Sequence, residues 1–145
     1  MHSVTQTIID KIKRQVTVGT DTDATIALKI GDTFDDIYND TGVSLSFVDE
    51  TDYEITPSIA GTANGSYRLA IFYKVKAYYL IKAKDAATAK AVRVKSGRDE
   101  VDTTKAVGGY ENSIKDNATD YKKCVNKINS VLGGRLADVS EQDEV

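Results

Sequence analysis

The stretch Tyr67-Arg68-Leu69-Ala70-Ile71-Phe72-Tyr73-Lys74-Val75-Lys76-Ala77-Tyr78-Tyr79-Leu80-Ile81 decides the fold class. Apolar and aromatic residues fall on nearly every side of a 3.6-residue period here, and few polar positions interrupt them. A helix of that kind is central and buried, because only surrounding elements can cover its whole circumference. The spacing predicts this helix over 67–87. Every other segment must then supply one apolar face to it, and the rest of the chain reads that way.

Upstream, Val4, Ile8, Ile9, Ile12 and Val16 recur at helical spacing, with Lys11, Lys13 and Arg14 between them. This predicts a first amphipathic helix that stops near Val18-Gly19. Asp21, Thr22 and Asp23 then offer side-chain oxygens to the free N–H groups of a second helix. Its apolar stripe is Ile26, Ile30, Phe34 and Ile37, interrupted by Gly31 and stopped by Asn39-Asp40-Thr41-Gly42. Residues 43–66 contain Pro57 and the turn-rich Gly61-Thr62-Ala63-Asn64-Gly65-Ser66, so they read as a long loop with a short extended piece. An interaction loop and a mobile loop are both compatible with that length.

Downstream, Ala91-Val92-Arg93-Val94-Lys95 and Glu100-Val101-Asp102-Thr103 alternate apolar with polar residues on either side of Ser96-Gly97-Arg98-Asp99. Alternation around a glycine turn predicts a β-hairpin near 91–103. Asp102, Thr103 and Thr104 then cap a last helix with apolar positions Tyr110, Ile114, Ala118, Tyr121, Val125, Ile128 and Val131. Gly108-Gly109 implies a helix start near Tyr110 or a closely packed backbone, and Gly133-Gly134 ends the helix. The expected class is mainly α: a bundle of three to four helices over 1–134, with a short hairpin before the last helix. An acidic C-terminal arm over 135–145 follows, whose Leu136, Val139 and Val145 suit docking on a partner.

Composition bounds the function. The chain has 145 residues, 41% hydrophobic and 28% charged, enough for one domain with a real core. Its one cysteine, Cys124, excludes an intrachain disulfide framework. No apolar run is long enough to cross a bilayer, and the first residues do not read as a secretory signal. The one histidine, His2, stands at the terminus, which leaves no base for a hydrolase triad and too few ligands for zinc. Cys124 lies beside an apolar stripe and reads as a packed thiol. The glycines match neither phosphate-binding pattern. Asp49-Glu50-Thr51-Asp52 lacks the spacing of a calcium loop. No catalytic, cofactor or metal residues are therefore assigned, and no enzyme activity is expected.

Net charge is only −3, but it is segregated. Asp21, Asp23, Asp32, Asp35, Asp36, Asp40, Asp49, Glu50, Asp52 and Glu54 are opposed only by Lys29. From 68 to 98 the sign reverses: Arg68, Lys74, Lys76, Lys82, Lys84, Lys90, Arg93, Lys95 and Arg98 face only Asp85. Two readings stay open: solvated faces that pair within one subunit, or unlike faces that join neighbouring copies. The bases interleaved with aromatics at 72–79 also admit two readings. One is a nucleic-acid stacking surface; the other is core tyrosines with snorkelling lysines.

The stretch Val94-Lys95-Ser96-Gly97-Arg98-Asp99-Glu100-Val101-Asp102-Thr103-Thr104-Lys105, with Tyr121-Lys122-Lys123-Cys124-Val125 beyond it, resembles the head-to-tail connector or head-completion adaptor family of long-tailed phages. The likeness lies in a hairpin entering a C-terminal helix through Asp-Thr-Thr-Lys, and residues 12–40 are similar to that family's opening helices in layout. The 43–66 loop departs from the pattern by its length. The resemblance implies a virion neck protein without an active site, made in the host cytoplasm. It further implies a homo-oligomeric ring of twelve copies that binds the portal protein and a tail-side neck or stopper protein. Such a ring extends the DNA channel, with transient non-specific contact to passing DNA and no membrane. Arg93, Lys95, Arg98, Phe47, Leu136 and Val139 are the expected interface residues. The alternative from the basic-aromatic segment is a small helical nucleic-acid-binding or regulatory module.

Overall fold

The computed structural model describes residues 1, 3–48, 52–57, 64–93 and 97–143, without the side chains of 64, 91–93, 97–105 and 133–143. Its elements in chain order are α1 (Ser3–Gln15), α2 (Asp23–Asp32), α3 (Phe34–Thr41), β1 (Leu45–Phe47), β2 (Ile55–Pro57), α4 (Asn64–Arg93) and α5 (Gly97–Asp143). The fold is mainly helical, as expected, with one short antiparallel hairpin ahead of the last helix.

α1 buries Thr5, Ile8, Ile9 and Ile12, the face that its periodicity indicates. Gly19 turns the chain at φ 64°, and Thr22 caps α2 by accepting the Thr25 N–H. The predicted second helix is two. Thr33 breaks it: both its N–H (3.1 Å) and its hydroxyl (2.7 Å) donate to the Ile30 carbonyl, closing one helix tightly before Phe34 begins the next. Ile26, Ile30 and Ile37 are nevertheless all fully buried, so the apolar stripe survives the break. Gly42, at φ 76°, ends α3 and donates its N–H to Tyr38.

The 43–66 segment contains the hairpin. Leu45 pairs with Pro57, Ser46 with Thr56 and Phe47 with Ile55. Leu45 and Ile55 point into the core. Tyr53 adopts φ 56°, uncommon for an aromatic residue. It is held there by the Thr5 hydroxyl, which donates to its carbonyl, and by edge contact with Phe47 at 5.2 Å. Phe47 also meets Phe34 edge-on at 5.0 Å. Gly31 lies under this ring, where an added Cβ would come within 3.1 Å of Phe47 Cε2. Gly31→Ala is expected to destabilise the fold by about 1 kcal/mol. The helix-propensity gain of about 1 kcal/mol is outweighed by overpacking against a ring pinned on two sides. Thermal unfolding checks this; a rise in Tm would show that Phe47 yields freely.

The hairpin predicted near 91–103 is not formed. α4 continues to Arg93 and α5 is helical from Gly97. Five alternating residues are too few to outweigh the alanine-rich 86–91 run, which favours helix. A lone hairpin beyond the core would also have no apolar face to bury. The Gly133-Gly134 stop is likewise not realised, since the α5 backbone remains helical to Asp143.

α4 and α5 run antiparallel. Asn117 Nδ2 donates to the Tyr73 carbonyl at 2.8 Å, Lys74 stands over the Tyr121 ring, and Lys84 pairs with Glu111 further along. With 30 and 47 residues, α4 and α5 are about 45 and 70 Å long. The core sits where Tyr67, Ile71, Val75 and Tyr79 of α4 meet α1–α3 on one side and Cys124 and Ile128 of α5 on another. Beyond Leu80 no described α4 side chain is fully buried, so the distal parts of the two helices form an arm projecting from that core.

Candidate interaction surfaces

The expected interface residues do not come together. Arg93 ends α4 and Arg98 stands one residue inside α5, so the backbone places both at the tip of the arm. Lys95, and the side chains of Arg93 and Arg98, lie outside the described residues. Leu136 and Val139 belong to the opposite end of α5, also with side chains outside the described residues. Phe47 is packed between Phe34, Tyr53 and Gly31, which gives it a role inside the subunit.

The basic-aromatic segment resolves into internal contacts. Phe72 and Tyr79 are buried and Val75 is fully so, leaving Tyr78 as the one ring of the segment with substantial exposure, at 39%. The lysines lie on ring faces: Lys11 over Phe72 at 4.3 Å, Lys29 over Tyr78 at 4.4 Å and Lys74 over Tyr121 at 4.5 Å. Tyrosine hydroxyls reach carboxylates at the core edge, Tyr79 to Asp21 at 2.7 Å and Tyr121 to Asp40. This is the arrangement of core tyrosines and snorkelling lysines.

Burial, and then these carboxylate bonds, raise the Tyr79 and Tyr121 phenols well above their ordinary 10.0, while burial and the Asp120 charge raise Tyr73. A raised folded-state pKa means that the neutral phenols contribute stability that is complete below pH 10 and is lost as pH climbs above it. Stability should therefore decline above about pH 10, and ultraviolet phenolate titration should show late-ionising tyrosines. Tyr79→Phe and Tyr121→Phe should each remove one late step. A single transition of all tyrosines at their ordinary value would contradict the geometry.

Asp32, Asp35, Asp36 and Asp40 are exposed along α2 and α3. Lys13 pairs with Asp23 and Lys84 with Glu111, and neither pair joins this acidic edge to the bases of α4. Asp32 and Asp36 share a shallow groove with Lys29 and Lys74, yet both lysines lie over tyrosine rings.

Two features escaped the sequence reading. Leu69 (38%), Tyr78 and Ile81 (47%) of the supposedly enclosed helix are exposed. The signal was present: a helix apolar on all sides carries more apolar surface than three short elements and one long neighbour can cover. Leu69 also borders a cleft of ≈ 340 Å³ between α1 and α4, with Val4, Ile8 and Phe72 as its apolar wall and Lys11 and Arg68 beside them.

No group of three or more potential metal-ligating side chains occurs among the described residues, and no helix there is long and apolar enough to cross a membrane. Cys124 is a buried free thiol whose pKa is raised by burial and the nearby Asp120, the opposite of an activated nucleophile. No family model matches the chain, and comparison with curated proteins and with solved structures found no match.

Proposed function

We propose that the chain is a structural subunit that acts by assembly, and specifically a ring-forming head-to-tail adaptor that links a phage portal to the tail and extends the DNA channel. The observation that carries the assembly reading is the exposed acidic edge Asp32-Asp35-Asp36-Asp40, which among the described residues forms no ion pair with a base of α4. Opposite potentials on one body favour head-to-tail contacts between copies, and such contacts close into rings when the rotation allows. The phage assignment rests on the sequence resemblance. Its support is now the layout of opening helices, a central helix and a last helix, because residues 97–105 are helical instead of forming a hairpin strand.

The nucleic-acid module draws less support, since Phe72 and Tyr79 of the 72–79 segment are buried and its lysines lie over rings, Lys74 over Tyr121 and Lys76 over Phe72. Sedimentation of the full chain over a range of concentrations, at about 50 mM and about 500 mM salt, tests the assembly reading. Association weakened by salt and lost in an Asp35→Lys/Asp36→Lys variant supports it. Association indifferent to both changes removes the acidic edge as its basis.

A further inference from the structure

The cleft between the starts of α1 and α4 is a second feature that the packing of the described residues leaves open. Its wall is apolar, from Val4, Ile8, Leu69 and Phe72, and among the described residues no carboxylate lines it. Lys11 holds its ammonium 4.3 Å over the Phe72 ring, and Arg68 is exposed beside Leu69. An occupant therefore needs a short apolar face followed by negative charge.

The chain carries such a segment. After Arg135, residues 136–145 contain Asp138, Glu141, Asp143 and Glu144 and no base. Leu136, Val139 and Asp143 are spaced i, i+3, i+7, the spacing of one helix face. The α5 backbone is helical through Asp143, and helix-in-groove recognition reads residues at this spacing. α5 runs antiparallel to α4 and is the longer by far, so it leaves the body past the start of α4. The cleft lies beside α4 at Arg68, Leu69 and Phe72, and a continuous helix moving away from it cannot turn back into it. The occupant that fits is the same segment from another molecule.

We infer that the cleft formed by Val4, Ile8, Lys11, Arg68, Leu69 and Phe72 receives residues 135–145 of a second copy of this chain. The inference rests on the assembly reading and names one contact within it. Apolar burial of Leu136 and Val139 against the exposed Leu69 and the half-buried Val4 supplies affinity, and the carboxylates opposite Lys11 and Arg68 set direction and register.

A fluorescent peptide of residues 135–145, titrated with the full chain and followed by anisotropy, tests this. Saturable binding is expected, weakened about tenfold or more by Arg68→Glu and by Leu69→Asp, and by salt. Both substitutions are at exposed positions, and circular dichroism of each variant checks that the helices are kept. No saturable binding at about 1 mM chain, or binding that neither substitution alters, overturns the inference. Portal recruitment is scored separately. If recruitment persists without tail binding, only the cleft assignment fails; if tail binding persists without recruitment, only the adaptor reading fails.

Discussion

Ile71→Ala is expected to lower the unfolding free energy by about 2–5 kcal/mol, the range for deleting a buried isoleucine down to its Cβ. The upper part of that range is anticipated. Ile71 is fully buried on the α4 stripe Tyr67-Ile71-Val75-Tyr79, in the cluster where α1, α2 and α3 reach the central helix. Ile9, Ile12, Ile26, Ile30 and Ile37 of that cluster are also fully buried and β-branched, with few rotamers available to refill a void. Denaturant unfolding at constant slope measures the change, and Tm should fall by roughly 10 °C. A loss below about 1 kcal/mol would mean that α4 is not the element around which the others pack.

The opposite sign is expected from the arm. Gly108 and Gly109 lie inside α5, and a Cβ built at either meets nothing within 4 Å. Each glycine costs about 1 kcal/mol relative to alanine in a helix interior, mostly through the freedom it gives the unfolded chain. Gly108→Ala/Gly109→Ala should therefore stabilise by about 2 kcal/mol and raise Tm by several degrees. If this pair ended in a late helix start or a tight backbone contact, as its composition alone allows, the double variant would destabilise instead. Thermal unfolding separates the two outcomes.

What was legible in the sequence was whatever a single periodicity could carry. Ile8, Ile9 and Ile12, then Ile26, Ile30 and Ile37, and then Ile71, Val75 and Tyr79 are buried where their spacing places them. The Thr33 break was hidden because it preserves that stripe while changing which carbonyl is satisfied. The hairpin was misplaced because five alternating residues do not distinguish a strand from a helix end. The real strands are three residues each, too short for alternation to register, and are fixed by tertiary contacts of Leu45, Phe47 and Ile55. On α5 the expected Ala118 is exposed and Asn117 is buried in its place, because its amide reaches the Tyr73 carbonyl of α4. A polar residue on an apolar seam gives no periodic signal.

The surfaces were only partly legible. Charge segregation is a property of composition and could be read directly, and the exposed acidic edge of α2 and α3 follows from it. The α1–α4 cleft could not be read, because it depends on how far Leu69 outruns the elements that cover its neighbour Phe72. Segments at the two ends of α5, near Arg98 and near Val139, both looked like interface material. The antiparallel helix pair sets them apart, so they would serve different neighbours.

Cryo-electron microscopy of the full chain mixed with a phage portal ring measures the central claim most directly. The account predicts a closed ring of this subunit stacked coaxially on the portal, with the acidic α2–α3 edge of one copy against the basic side of the next. A chain that stays monomeric and leaves the portal bare under every salt condition would contradict it.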